Sequence, residues 1–281
     1  MSLNEVIESA AQAINTADVL LITAGAGMGV DSGLPDFRGD QGFWKAYPAL
    51  QGYSFIDMAN PEWFESDPYR AWGFYGHRLN LYRQTQPHQG FQTILKWSLE
   101  KRRPSFIYTS NVDGHFQKAG FDPDLICECH GSIHYWQELK GRGAIASAEG
   151  INLEINEQTV RLSGDLPVHP RLRGEVRPNI LMFGDFYWQS ERTDLQYDRF
   201  DDWLAQNQAA KVVVIEMGAG TTIPSVRRQG ERVLDYSSQA RLVRINPRES
   251  YCETHYQEQC FSIPLGAWEA LSKIDDFYQQ L

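Results

Sequence analysis

At 281 residues, 42% of them hydrophobic, the chain can bury a substantial core as one large domain or one domain with inserted modules. A formal net charge of −10 excludes a general binder of phosphate backbones, which needs a basic face, but suits a cationic peptide as partner. No stretch approaches the ~20 apolar residues that span a membrane, and Glu5 and Glu8 stand where a signal peptide carries a basic flank, so the sequence reads as cytoplasmic, with neither membrane nor nucleic acid as partner.

In chain order, Asn4–Asn15 places Ile7, Ala10, Ala11 and Ile14 at helical spacing behind Asn4, a candidate cap. Asp18–Thr23 follows, a short apolar run of strand formers that ends at glycines. Similar runs recur at Ser105–Thr109, Leu125–Glu128, Asn179–Phe183, Lys211–Glu216 and Arg241–Ile245. They are continuous rather than alternating, as strands covered on both faces are, and helix-length segments separate most of them. This is the pattern of an α/β fold with a doubly wound, mostly parallel, Rossmann-like sheet. Gln41–Pro87, dense in Trp, Tyr, Phe and Pro, and Ser132–Val176, with a candidate hairpin at Ile151–Leu162, break that rhythm and read as insertions. The expected division is a Rossmann-like part at about 1–40, 88–131 and 177–281, and a small module at about 41–87 and 132–176.

Cys127, Cys129, Cys252 and Cys260 include no C-x-x-C pair. The first two flank one residue of an expected strand, so their thiols share a face and packing is their expected role. No disulfide framework is expected.

Gly25-Ala26-Gly27 directly follows the first strand, where glycines permit a tight turn and close approach of a phosphate to backbone amides. Val30 stands where the dinucleotide fingerprint G-x-G-x-x-G requires its last glycine, and no acidic residue at the usual distance closes a conventional ribose site. A second loop, Gly218-Ala-Gly220-Thr221-Thr222, follows the Lys211–Glu216 run and offers threonine hydroxyls to phosphate oxygens. Two glycine loops at strand ends are what open α/β sheets use to bind nucleotides.

The segment from Gly25 to Gly39, G-A-G-M-G-V-D-S-G-L-P-D-F-R-G, closely resembles the signature of the sirtuins, the NAD-dependent protein deacylases. Thr109-Ser-Asn-Val-Asp-Gly114, Glu128-Cys-His-Gly-Ser132, Arg177-Pro-Asn-Ile-Leu-Met-Phe-Gly-Asp185, and Gly220-Thr-Thr with the later Ile245-Asn246 agree in the family's order. The resemblance implies that NAD is the cofactor and that a protein or peptide carrying an acylated lysine is the partner. In that family the acyl oxygen attacks the ribose carbon as nicotinamide leaves, and a histidine then activates a ribose hydroxyl. His130 matches that histidine, whose imidazole titrates near neutrality as such a base should; His134 has no such match and reads as a packing or surface residue. Asn111 and Asp113 match the nicotinamide-pocket and ribose positions, with Ser110 beside them. Asp36, Phe37 and Arg38 match the segment that closes over the nicotinamide ribose, and Asn246 the asparagine at the adenosine ribose. Phe183, Gly184 and Asp185 stand where the family has F-G-E, the segment that lines the acyl-lysine tunnel and pairs with substrate backbone.

The sequence also departs from the family pattern. Gly29 replaces a serine and Ser110 a glutamine, each losing a polar contact worth on the order of 1 kcal/mol. The two C-x-x-C pairs of a structural zinc site are missing: neither Glu138–Gly141 nor His169–Arg173 contains cysteine, and one histidine cannot build a tetrahedral site. No metal is therefore expected. Tyr75 and Arg78 resemble the Y-x-x-R of family members that remove succinyl and malonyl groups; three apart on a helix, they share a face and would clamp a carboxylate, the alternative being that Tyr75 packs in the aromatic insertion and Arg78 is solvated. The expected activity is NAD-dependent lysine deacylation of acetyl, succinyl or malonyl groups. The alternatives are an NAD glycohydrolase or ADP-ribosyltransferase and, from another class, a non-catalytic NAD or ADP-ribose sensor.

Overall fold

The computed structural model describes residues 1–35, 39–140 and 143–281, with the main chain alone for 39–41. Its strands are β1 (Val19–Ala24), β2 (Phe106–Thr109), β3 (Ile126–Glu128), β4 (Gly131–Glu138), β5 (Ala146–Ser147), β6 (Ile155–Asn156), β7 (Arg161–Leu162), β8 (Val176–Ile180), β9 (Val212–Met217), β10 (Arg241–Ile245) and β11 (Cys260–Ile263). Its helices are α1 (Leu3–Asn15), α2 (Gly39–Ala46), α3 (Phe55–Met58), α4 (Trp63–Ser66), α5 (Pro68–Gln84), α6 (Gln89–Leu99), α7 (His115–Lys118), α8 (Glu191–Gln206), α9 (Ser225–Tyr236) and α10 (Ala267–Tyr278).

A six-stranded parallel sheet in the order β11-β10-β9-β1-β2-β3 is the spine. Successive side chains of a strand point to opposite faces. Leu20, Ile22 and Ala24 accordingly pack with Ile7, Phe91, Trp97 and Leu271 of α1, α6 and α10. Val19 and Leu21 pack on the other face with Phe200, Trp203 and Val233 of α8 and α9. Each buried Leu, Ile or Val contributes roughly 1.5–3 kcal/mol, so two covered faces explain why these strands read as continuous apolar runs. Cys127 and Cys129 fall together in the second cluster, both buried and free.

The sequence reading needs four corrections. Helix α1 is capped by Ser2, whose side chain accepts from Glu5 N while its own N–H donates to the Glu5 carboxylate at 2.6 Å; Asn4 lies inside the first turn. Cys252 and Cys260 are disulfide-bonded with Cα atoms 6.4 Å apart, linking the connection after β10 to the edge strand β11, which was itself not foreseen. The run at Asn179–Phe183 does not join the parallel sheet. The strand there is β8, which pairs antiparallel with β4 in a separate sheet, β5-β4-β8. It shares only Asn179 and Ile180 with that run, whose remaining apolar residues, Leu181–Phe183, follow the strand.

The hairpin expected at Ile151–Leu162 is present as β6 and β7, with Ile155 opposite Leu162. The aromatic density of 41–87 has a direct cause, since Phe43, Tyr47, Phe64, Trp72, Phe74 and Tyr75 form a second core with Trp136 of β4. Trp72 and Trp136 lie 4.6 Å apart. Arg161 makes a two-pronged ion pair with Asp67 at 2.8 and 2.9 Å, and Arg83 donates to the carbonyls of Ala148 and Ile151. These contacts join residues of 41–87 to residues of 132–176. Among the described residues no group of three or more His, Cys, Asp or Glu is placed to hold a metal ion.

Candidate active site

From β1 the chain builds outward to β2 and β3, then returns to build β9, β10 and β11 on the other side. The order therefore reverses between β1 and β9, and a ligand crevice forms beyond the carboxyl ends of strands at such a point. Both glycine loops sit there, pressed together. A Cβ on Gly218 would stand 2.3 Å from the Met28 nitrogen, and φ at Gly218 is 61°, so only glycine fits. The N–H groups of Gly25 and Gly27 donate to Met217 O and Gly218 O at 2.9 and 3.1 Å, and that of Met28 to Gly25 O. The first loop's amides are thus largely spent on the turn, the alternative to a phosphate cradle that the sequence left open at Gly25-Ala26-Gly27. Among the described residues the amides of Ala26, Gly220, Thr221 and Thr222 have no acceptor, which moves the anion-binding capacity toward the second loop.

Asn246 closes this wall from β10. It is 1% exposed, its Nδ2 donates to Ala219 O at 2.8 Å, and its Oδ1 accepts from the N–H groups of Arg248 and Glu249. As placed it shapes the second glycine loop rather than offering a free amide to a ribose. The same turn brings in Glu249, whose carboxylate accepts from the Thr221 hydroxyl and lies 3.5 Å from where a Cβ on Gly220 would be. Sequence reasoning missed it, because Glu249 follows β10 and not the strand where the dinucleotide fingerprint seeks an acid.

The opposite wall comes from the ends of β2 and β3. The Thr109 hydroxyl donates to Ala24 O and accepts from Asn111 N, both at 3.0 Å. Asn111 Nδ2 donates to Gly25 O at 3.0 Å, leaving its Oδ1 as acceptor. Asp113 Oδ1 accepts from His115 N at 2.9 Å, and Asp113 O bonds the His134 ring at 2.8 Å. His134 thus packs under the turn that carries Asp113.

His130 follows β3. Cys129 N donates to Thr109 O at 2.9 Å, and His130 O accepts from Leu181 N at 3.0 Å. A Cβ on Gly131 would stand 2.2 Å from Asn179 O, with φ at 77°, which is why glycine must follow the histidine. The ring is largely buried, and burial holds its pKa below 6.5 although a hydrogen bond to the Ser110 main chain opposes the shift. Burial pushes the neighbouring Cys129 thiol up to about 12, so it is neutral and no nucleophile. From behind, α8 grips the strand: Arg192 pairs with Glu128, Gln196 Oε1 accepts from Glu128 N at 3.0 Å, and Arg192 lies 4.0 Å over the Tyr135 ring.

The third wall is the segment after β8. Phe183 N donates to Ala59 O at 2.9 Å, and the Phe183 ring meets Phe55 edge-on at 6.5 Å. Asp185 does not offer its charge to a substrate; Arg177 takes it at 2.7 and 2.8 Å, with both side chains 0% exposed. Tyr75, 1% exposed, stacks on Phe64 in the aromatic core. Arg78 donates to the Tyr82 hydroxyl at 3.0 Å, its guanidinium 5.3–5.8 Å from the ring centres of Phe55, Phe74, Tyr75 and Tyr82. Of the two clamp residues, Arg78 is the one that borders Phe55 and through it Phe183. Asp36, Phe37 and Arg38 lie outside the described residues.

A family model described as the Sir2 family matches residues 25–221. The chain is similar to the NAD-dependent protein deacetylase of Saccharolobus solfataricus, 30% identical over 181 residues that span 64% of this chain and 66% of that protein. It is 25% identical to the NAD-dependent protein deacylase of Aquifex aeolicus over 266 residues, 93% of this chain and 95% of that one. A solved Sir2 homolog–NAD complex shares the fold with a TM-score of 0.65 at 21% identity, covering 97% of this chain and 94% of that one.

Proposed function

Because the chain belongs to the Sir2 family, we propose that it removes acyl groups from lysines of protein or peptide substrates at the expense of NAD, releasing nicotinamide and O-acyl-ADP-ribose. The observation that carries the proposal is His130, kept neutral by burial at the mouth of a crevice that two glycine loops line. The residues fit a dinucleotide: the free amides of Gly220, Thr221 and Thr222 suit phosphate oxygens, and Glu249 beside them suits a ribose diol.

NAD, when bound, supplies the ribose carbon that accepts the acyl oxygen and the nicotinamide that leaves. Asn111 Oδ1 is placed to accept from a carboxamide N–H, because its Nδ2 is fixed on Gly25. Asp113, oriented by the His115 amide, retains one carboxylate oxygen for a ribose hydroxyl. The Ser110 main chain lies beside the His130 ring and favours its protonated form, and a ring nitrogen of the neutral imidazole takes a proton from a hydroxyl. Ser110 thus contributes through its backbone, which a side chain shorter than glutamine does not alter.

In this reading the parts around 1–40, 88–131 and 177–281 bind the dinucleotide, while 41–87 with 132–176 cover the acyl-lysine. Arg78 is the residue that favours an acidic acyl chain. The net charge of −10 argues for basic, lysine-rich substrates and against nucleic acid, and the cytoplasm is the compartment proposed. Incubation with NAD and acetyl- or succinyl-lysine peptides, followed by assay of nicotinamide and acyl-ADP-ribose, tests the proposal. Nicotinamide release that requires peptide supports it. Release without peptide would assign NAD hydrolysis instead, and NAD binding without release would assign a sensor.

A further inference from the structure

The loop from Leu181 to Tyr187 combines two features that seldom coincide. It is firmly held. The buried Arg177–Asp185 pair anchors its centre, Asp185 Oδ1 accepts from Tyr187 N at 3.1 Å, and Tyr187 O accepts from Gln137 Nε2 at 2.8 Å. Gln137 is itself fixed, its Oε1 accepting from Asn179 Nδ2 and Gln189 N. Yet between these pinned points Phe186 stands 92% exposed, flanked by Tyr187 at 54% and Leu181 at 40%. Single exposed apolar residues are ordinary, but three on one seven-residue loop form a patch, and such patches mark contact surfaces. The loop's one charge, Asp185, is buried and paired, so nothing on it selects by charge.

The loop's position says what it meets. Leu181 N–H bonds the carbonyl of His130, so the loop starts at the catalytic residue. Five residues of chain reach at most ~18 Å, and a strand-like peptide at ~3.3 Å per residue covers the same distance in about five residues. Phe186 therefore lies no farther from a polypeptide whose acyl-lysine sits at His130 than about five of its extended residues span. Resting on the deacylase reading, we propose that Phe186 is a specificity anchor that packs against one apolar side chain within about five residues of the acyl-lysine, so that the protein favours acylated lysines with an apolar residue at that position. An aromatic carried on an already fixed backbone is the kind of residue that dominates such contacts, because little main-chain freedom remains to be lost.

The test measures kcat/KM on acyl-lysine peptides carrying Leu, Phe, Ser or Asp at each of the five positions on either side. The wild-type protein favours Leu or Phe over Ser at one or more positions by about tenfold, the effect of burying roughly 50 Å² of apolar surface. Phe186→Ser removes that preference, Phe186→Leu keeps part of it, and the control Leu99→Ser, on the exposed face of α6, retains it in full. Equal turnover of all peptides by the wild type, or an undiminished preference in Phe186→Ser, would overturn the assignment. A change in sedimentation between wild type and Phe186→Ser would also overturn it, by making the patch a self-association contact. If no peptide supports nicotinamide release, the deacylase reading fails and this inference with it.

Discussion

The proposed chemistry turns on single side chains, and His130 comes first. Burial lowers its pKa below 6.5 against the opposing Ser110 hydrogen bond, so the neutral, lone-pair form dominates at pH 7. The acid limb of kcat/KM should then fall below pH 6.5, with the rate lost as the imidazole protonates. His130→Ala should reduce kcat by about 10²–10⁴-fold, the usual worth of a positioned base; a smaller loss, or an acid limb above pH 6.5, would remove His130 from that role. Arg78 invites a different comparison. If its guanidinium receives an acidic acyl chain beyond Phe183, Arg78→Met should lower succinyl turnover at least tenfold more than acetyl turnover, and equal losses would show it to be a packing residue. The motif residues were legible because their chemistry dictates residue type and spacing. Their partners were not: Asp185 is consumed by Arg177 and Asn246 by Ala219, contacts that depend on how loops close and leave no mark in a linear pattern. Glu249 was missed for the same reason.

Among the elements, the strands covered on both faces were readable because parallel central strands demand continuous apolar runs. That rule also misplaced β8. Val176–Ile180 is buried throughout, yet two of its five residues are Arg177 and Asn179, whose polar groups need dedicated partners. Arg177 has Asp185, and Asn179 has Gln137 and Gln189. These side chains set the path of the loop that follows. Asp185→Ala should therefore cost about 3–5 kcal/mol, because it strands a buried guanidinium, and peptide KM should rise more than NAD KM as the loop loses its anchor. Arg177→Met with Asp185→Leu should recover much of the stability without restoring peptide KM. Denaturant unfolding and steady-state kinetics check both statements, and a loss below 1 kcal/mol in the single variant would refute the first.

Across the whole molecule, the described core is three hydrophobic clusters, one on each face of the parallel sheet and one in the aromatic module. The sheet clusters surround β1 and β9 and the aromatic one surrounds Trp72 and Trp136, and histidines line both, His77 against Tyr47 and His88 and His115 against Phe91. Five of the seven histidines, His77, His88, His115, His130 and His134, have pKa values lowered, in each case chiefly by burial. A lowered folded-state pKa means that the unfolded chain binds more protons as pH falls through 6.5. Their contribution is therefore fully present above pH 6.5 and is lost progressively below it. His115 is the sharpest member, 1% exposed with neither ring nitrogen in a hydrogen bond of normal geometry, packed edge-on to Phe91 at 6.0 Å. The melting temperature should accordingly fall between pH 7 and pH 5, before Asp67, whose pKa the Arg161 pair holds below 3.8, begins to titrate. His115→Leu should hold or raise stability at pH 7, since it replaces a buried polar ring held only weakly, by the Tyr82 main chain and the Asp113 charge, with an apolar group, and should flatten the decline toward pH 5. A variant that melts lower at pH 7 while keeping the full acid slope would show that this histidine's proton is held by a partner after all.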